Sequence, residues 1–257
     1  MHNIHTILLI GGRSLRFNES NETIHQKAKS LSLVDKEALI SYVLKSFIKH
    51  NFKNFILPLG HYKNDFIKYF KKIKIINGIK CKVVINSQEY LTNCNSNHDQ
   101  INIFLFDAGL RANKAERILK VIKKLSINNF IVSYGDAVGN INLKKVLKLH
   151  IRSRCYATGV GMIMRSQYGH YTINKNKLVI EINEKPIIKD LVNIGYFFFK
   201  KESIQYFYKY KKLDLENGII KKLIKKEKVQ IYEHKKFWKS VDTLKDLIEL
   251  RKFLKKN

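Results

Sequence analysis

Two aspartates, a lysine and a glycine pair are the residues of this chain with the clearest chemical capacity. Asp136 ends the run Ile131-Val-Ser-Tyr-Gly-Asp136, and an Asp at the C-terminal end of a buried parallel strand lies where α/β sheets bind ligands. Asp242 closes Phe237-Trp-Lys-Ser-Val-Asp242 just ahead of a helical pattern. Two separated carboxylates suit Mg²⁺, which prefers carboxylate oxygens and keeps several waters. Lys185 stands between Glu184 and Pro186, one of only two prolines in the chain. A lysine stiffened in this way can be aimed at a phosphate while the neighbouring carboxylate accepts sugar hydroxyls. Finally, Ile7-Leu-Leu-Ile-Gly-Gly-Arg-Ser-Leu-Arg16 runs a buried strand into Gly11-Gly12. Free backbone N–H groups at such a turn suit phosphates, and Arg16 adds a permanent cation with bidentate geometry. The G-x-G-x-x-G spacing of a dinucleotide site is missing. Taken singly, each motif has a plainer reading: a strand-end turn, a helix-capping Asp, a surface ion pair. Taken together they describe positioning and charge neutralisation for phosphoryl transfer.

The elements that must position these residues can be read from hydrophobic periodicity. Strands are expected at 6–10, 54–59, 81–86, 101–106, 129–134, 156–164, 177–182, 194–199 and 229–233. Helical spacing appears at 37–49, 63–71, 115–125, 143–152, 202–210 and 217–226. A last helix starts at Thr243, a good N-cap, with Asp246 three residues on, close to a capping box. Strand–helix alternation over the first 150 residues implies an α/β layer with a mostly parallel sheet. The strand-rich stretch 155–235 implies an antiparallel or mixed extension. No linker or internal repeat divides the chain, so the expectation is one domain over 1–257. The polar segment Glu89–Gln100 reads as a loop.

Composition sets the outer bounds. The chain has 257 residues, enough for a full core, with 45% hydrophobic and 27% charged residues. No apolar run approaches the roughly 20 residues needed to cross a bilayer, and Ile7–Ile10 is too short for a signal-peptide core. The cysteines Cys81, Cys94 and Cys155 have no metal-like spacing and no even pairing, which suits a reducing cytoplasm. The histidines, His61, His150 and His170 among them, show no ligand spacing. The formal net charge of +28 is spread along the chain with no arginine-rich tract or RNA-binding signature. Abundant Lys, Asn and Ile together suggest codon bias from an AT-rich genome. A real preference for polyanions stays open, but no specific nucleic-acid partner is expected.

The order and spacing of these motifs resemble the sugar-1-phosphate nucleotidyltransferases, most of all the glucose-1-phosphate cytidylyltransferase branch. Ile10-Gly-Gly-Arg-Ser-Leu-Arg-Phe17 is similar to the family opening A-G-G-x-G-T-R-L. Leu59-Gly-His-Tyr-Lys through Phe70, Phe106-Asp-Ala-Gly109 with Arg117, Tyr134-Gly-Asp-Ala-Val-Gly-Asn140, Tyr168-Gly169, Glu184-Lys-Pro186, Val192-Asn-Ile-Gly-Tyr196 and Phe237-Trp through Asp242-Thr-Leu-Lys-Asp246 follow in family order. The match covers nearly the whole chain. It implies a Rossmann-like, GT-A-like α/β core, with a nucleotide-binding part over about 1–150 and an acceptor-binding part over about 151–257, and transfer of CMP from CTP to a hexose 1-phosphate. By position it implies that Ile10, Gly11, Gly12, Arg16, Arg117 and Gly135 bind nucleotide, and that Arg16, Lys29 and Lys185 act on phosphates. Glu184, Lys185, Asn193 and Gly195 would bind the sugar phosphate, Asp136 and Asp242 would hold Mg²⁺, and the chain would form a homo-oligomer.

The sequence also departs from that pattern. Ser14 and Leu15 stand where the family has Gly and Thr, and a serine costs about 1 kcal/mol if position 14 needs φ > 0. The usual Lys-Pro is Lys29-Ser30 after an apparent insertion in 18–28, so Lys27 competes with Lys29 for the phosphate role. Ala115-Glu116 replaces the glycines before Arg117, placing an acid near the expected base or phosphate. Ile194 and Lys239-Ser240-Val241 also differ from the pattern. Base and acceptor are therefore less fixed than reaction class. Two other readings remain: the same fold with another acceptor or NTP, and a drifted, non-enzymatic binding protein.

Overall fold

A strand that is buried on both faces reads as a continuous apolar run, and this sequence supplies several. A computed structural model describes residues 4–19, 28–86 and 100–256. Its strands are β1 (His5–Leu9), β2 (Leu33–Val34), β3 (Glu37–Ala38), β4 (Asn54–Leu59), β5 (Ile75–Ile76), β6 (Ile79–Ile85), β7 (Ile101–Asp107) and β8 (Phe130–Tyr134). They continue with β9 (Ala137–Gly139), β10 (Ala157–Met162), β11 (His170–Ile173), β12 (Val179–Asn183), β13 (Val192–Phe199), β14 (Val229–Glu233) and β15 (Trp238–Ser240).

Nine of these strands form one sheet in the order β14-β10-β13-β8-β1-β4-β7-β6-β5. The centre, β8-β1-β4-β7-β6, is parallel. β13 enters antiparallel to both β8 and β10, and β10 pairs parallel with β14. The expected mixed extension of the second half is thus present, joined directly to the parallel half. Alternate residues of the central strands feed opposite faces. Ile7, Ile56, Phe104 and Val132 pack with the helix Lys114–Leu125 on one side. Leu8, Phe55, Leu57, Ile103 and Ile131 pack with the helices Leu39–Ile48, Lys63–Lys72, Leu143–Arg152 and Leu244–Lys256 on the other.

Local chemistry fixes the helix starts near the site. Asn113 and Glu116 form a capping box in front of the helix Lys114–Leu125. Thr243 and Asp246 do the same for the last helix: Thr243 N–H and Oγ1 both donate to Asp246 Oδ2, at 2.9 Å, and Asp246 N–H reaches back to Thr243 Oγ1. The expected helix at 217–226 is instead a π-helical turn over Leu215–Ile220 followed by one α-turn over Lys221–Ile224. Most of the Glu89–Gln100 segment lies outside the described residues, as does Cys94.

Two small pairings lie off the main sheet. β9 and β15 pair antiparallel, with Ala137 opposite Ser240 and Gly139 opposite Trp238. β11 and β12 form a hairpin in which every residue is exposed. No helix among the described residues is long and apolar enough to cross a membrane.

Candidate active site

The C-terminal ends of β1 and β8 open side by side, because the two strands pair in parallel from His5–Phe130 to Leu9–Tyr134. The turn after β1 carries Gly11 and Gly12; the turn after β8 carries Gly135 and Asp136. Gly135 is held to β1 by its N–H donating to Leu9 O at 3.2 Å, and a Cβ there would stand 2.1 Å from Ile10 Cγ2. Between these turns lies a cleft of about 640 Å³, lined by Ile10 to Phe17, Lys29, Ser30, Ala112 to Lys114, Arg117, Tyr134, Asp136, Asp214 and Asp242.

The β9–β15 register explains how Asp136 meets Asp242. Asp136 immediately precedes β9 and Asp242 follows β15, and Val241 N–H donates to Asp136 O at 2.9 Å. Asp246 fixes the far side of this turn by accepting Asp242 N–H at 3.1 Å, and is itself paired with Lys239 at 2.7 Å. The two carboxylates converge on one cation. Lys29 Nζ lies 2.7 Å from Asp136 Oδ2 and 2.9 Å from Asp242 Oδ1. Burial by itself would lower the Lys29 pKa, but the charges and hydrogen bonds of Asp136 and Asp242 outweigh it and raise the pKa. Arg16 reaches the same Asp242 Oδ1 at 3.2 Å from a largely exposed position. Lys27 lies outside the described residues.

Lys29 is placed by Ser14, whose Oγ accepts the Lys29 backbone N–H at 3.2 Å. Ser14 has φ 53°, so the loop does require the left-handed conformation at this position. Gly12 faces open space, with nothing within 4 Å of where a Cβ would stand. That leaves its backbone approachable by a ligand.

Arg117 is 6% exposed and lies against backbone. Its Nε donates to Ala112 O at 2.9 Å and its Nη1 to Pro58 O at 3.4 Å. The guanidinium fills the space beside Gly11 and Gly60 that side chains would otherwise occupy. The acid expected to intrude here does not: Glu116 turns back to accept Asn113 N–H at 2.9 Å, and Ala115 is fully buried.

The other sequence-derived candidates lie outside this lining. Glu184 and Lys185 sit exposed at the base of the β11–β12 hairpin, with the Glu184 carboxylate against Gly169 and Lys185 at φ 50°. Asn193 Oδ1 accepts Gly195 N–H at 2.9 Å. Gly195, at φ 81°, lies against the Tyr134 ring, where a Cβ would come within 2.6 Å of Cδ2. Asn193 and Gly195 therefore touch the cleft through Tyr134. Sequence reasoning missed Lys114, Tyr134 and Asp214 as wall residues. The Lys114 ammonium pairs with Asp214 at 2.9 Å and with Glu216, and lies 5.5 Å from the Tyr134 ring centroid. Lys114 stands one residue ahead of the helix expected at 115–125, and nothing in the local pattern announces its partners a hundred residues on.

The donor set fits a hard divalent cation in one respect: two carboxylate oxygens already face a single positive charge. Among the described residues no three His, Cys, Asp or Glu side chains converge. A cation here would take its remaining ligands from water and phosphate oxygens, as Mg²⁺ does.

The sequence profile of the nucleotidyl transferase family matches residues 5–257. Among curated proteins, the chain is 26% identical to a probable glucose-1-phosphate cytidylyltransferase of Bacillus subtilis (strain 168), over 96% of this chain and 94% of that one. It is 24% identical to the glucose-1-phosphate cytidylyltransferase of Salmonella typhimurium, over 95% of this chain and 93% of that one. Among solved structures, a putative glucose-1-phosphate thymidylyltransferase from Bacillus anthracis superposes with a TM-score of 0.67 at 15% identity, covering 98% of this chain and 95% of the other.

Proposed function

The chain belongs to the nucleotidyl transferase family, as an enzyme of the sugar-phosphate kind, and on that premise we propose that it transfers CMP from CTP to a hexose 1-phosphate, glucose 1-phosphate first. The observation that carries this reading is the convergence of Asp136 and Asp242 on one cation in a cleft also lined by Gly11, Gly12 and Arg16. The choice of CTP and glucose 1-phosphate rests on the names of the two curated relatives.

In the proposed reaction an oxygen of the acceptor phosphate attacks the α-phosphorus of CTP. The bond from the α-phosphorus to the bridging oxygen breaks, and pyrophosphate leaves with that electron pair. The chain's part is positioning and charge neutralisation. Gly11 and Gly12 offer backbone to the triphosphate. Arg16 and Lys29 offset charge on the departing pyrophosphate. Lys185 orients the attacking phosphate, and Glu184 accepts sugar hydroxyls beside Asn193 and Gly195. Asp136 and Asp242 would hold Mg²⁺, which supplies charge neutralisation at the phosphate oxygens when bound.

Self-association as a homo-oligomer belongs to the same reading. It is supported by the hairpin β11–β12, which leaves Tyr171, Ile173, Val179, Ile180 and Ile182 each more than half exposed. Apolar surface of this extent is a mark of interfaces.

Thermal shift with each NTP plus Mg²⁺, followed by product analysis with glucose 1-phosphate, tests the proposal. A shift selective for CTP together with CDP-glucose formation is the expected result. Product with another NTP or another sugar phosphate keeps the reaction and changes its specificity. The absence of both a shift and a product with every NTP would overturn it.

A further inference from the structure

Lys29 carries two roles that one geometry cannot satisfy at once. Contact with phosphates requires its ammonium to face the triphosphate, yet the ammonium bonds both carboxylates assigned to the metal, at 2.7 and 2.9 Å. The lysine is not a loose surface side chain: it is 17% exposed, and its backbone N–H is tied to Ser14 Oγ.

We infer that Lys29 is a built-in stand-in for the divalent cation, holding the Asp136–Asp242 pair until the triphosphate draws it away. This rests on the reading above that these two aspartates are the metal ligands. The charge balance supports it. Asp136 and Asp242 carry two negative charges, and Lys29 and Arg16, both in contact with the pair, carry two positive ones. A neutral cluster offers little attraction to a free divalent ion. The space also forbids sharing, because Mg²⁺ sits about 2.0–2.1 Å from its oxygens. An ammonium left on the same two oxygens would then lie against a like charge. A triphosphate in the cleft changes both terms. It gives Lys29 an alternative anion, and it brings oxygens that complete the coordination of the metal. The open space over Gly12 lies in the same cleft as Lys29, so the ammonium can change partners without leaving it. The metal and the nucleotide therefore enter together, and the free protein binds divalent cations weakly.

Mn²⁺ is the probe, titrated without nucleotide and read by electron paramagnetic resonance of the free hexaaquo ion. The wild type is expected to bind it weakly. Lys29→Met, which removes the charge and keeps the length, is expected to bind at least tenfold more tightly. Lys29→Arg is expected to stay weak, because the stand-in charge is retained. Adding Asp136→Asn to Lys29→Met is expected to erase the gain, which places the ion at the pair. If Lys29→Met fails to fold by circular dichroism, Lys29→Gln serves in its place. Wild type binding as tightly as the neutral variant would overturn the inference, as would neutral variants showing no gain. Either result leaves the proposed reaction to be judged separately, by CDP-glucose formation in the wild type.

Discussion

The Arg117 guanidinium occupies the space that a side chain on Gly11 would need: a Cβ built on Gly11 stands 1.4 Å from Arg117 Nη1. The turn after β1 and the buried arginine are thus two halves of one packing unit, with Gly60 on its third side. Gly11→Ala must push the guanidinium off its carbonyl partners, Ala112 O and Pro58 O. The expected loss is about 1–3 kcal/mol, the usual cost of leaving buried polar groups unpaired. In an Arg117→Met background the same Gly11→Ala change is expected to cost less, a non-additivity that a double-mutant cycle by urea melts would read. Gly12→Ala, which meets nothing within 4 Å, is the control and is expected to leave the midpoint unchanged.

Removing either metal-assigned carboxylate separates catalysis from folding. Asp136→Ala and Asp242→Ala are each expected to lower kcat by on the order of a hundredfold or more, beyond what changes around a metal site usually cost. Both residues are partly exposed and Lys29 keeps one partner in each variant, so the fold is expected to persist by circular dichroism. Wild-type rates in either variant would remove the proposed mechanism.

What could be read from sequence follows from the range of the interactions involved. The strands Asn54–Leu59 and Val229–Glu233 and the helix Leu143–Arg152 fall where periodicity puts them, because packing and periodicity agree there. The Thr243–Asp246 cap was legible because it is built from residues three apart. The left-handed Ser14 was legible as a conditional, from the glycine that the family resemblance puts there. Illegible was the pairing that brings Asp136 to Asp242. Ala137–Gly139 and Trp238–Ser240 are three residues each, too short for alternation to register, and their pairing is wholly long-range. His170–Ile173 was missed for a related reason: all four residues are exposed, so no buried face marks the strand. The ion pairing of Lys29 to both aspartates, the turn of Glu116 into a cap and the burial of Arg117 are likewise tertiary facts.

Ser14 is a strained position with a compensation. Its φ of 53° costs a serine about 1 kcal/mol relative to glycine, while its Oγ accepts Lys29 N–H at 3.2 Å. Ser14→Gly trades one for the other and is expected to change stability by less than about 1 kcal/mol. Ser14→Ala keeps the strain and loses the acceptor, and is expected to be the less stable of the two. Chemical denaturation of both variants orders them, and a more stable Ser14→Ala would contradict this account of the loop.

The β11–β12 hairpin gives the self-association proposal a direct check. Ile180 and Ile182 are two residues apart in β12, so they share one face, and both are exposed. Sedimentation equilibrium is expected to give the wild type a mass at a multiple of 30.2 kDa. Ile180→Asp combined with Ile182→Asp is expected to shift it toward the monomer, without loss of secondary structure, since neither side chain is in the core. A monomeric wild type would end the proposal.

His150 couples the core to pH. Its ring is 4% exposed, with Nδ1 2.8 Å from Thr158 Oγ1. Burial, with the nearby Lys200 charge adding to it, lowers its pKa to about 4 from an ordinary 6.5. The unfolded chain therefore takes up a proton below about pH 6.5 that the native protein refuses until about pH 4. The stability held by neutral His150 is full above pH 6.5 and drains as the pH falls toward 4. At roughly 1.4 kcal/mol per pH unit over that window, the loss is on the order of 3 kcal/mol. His150→Gln cannot titrate there, so its stability is expected to fall less steeply between pH 6.5 and 4, even if it starts lower at pH 7. Urea denaturation across this range compares the two slopes directly. Equal slopes would mean that His150 is protonated in the folded protein as readily as in the unfolded chain.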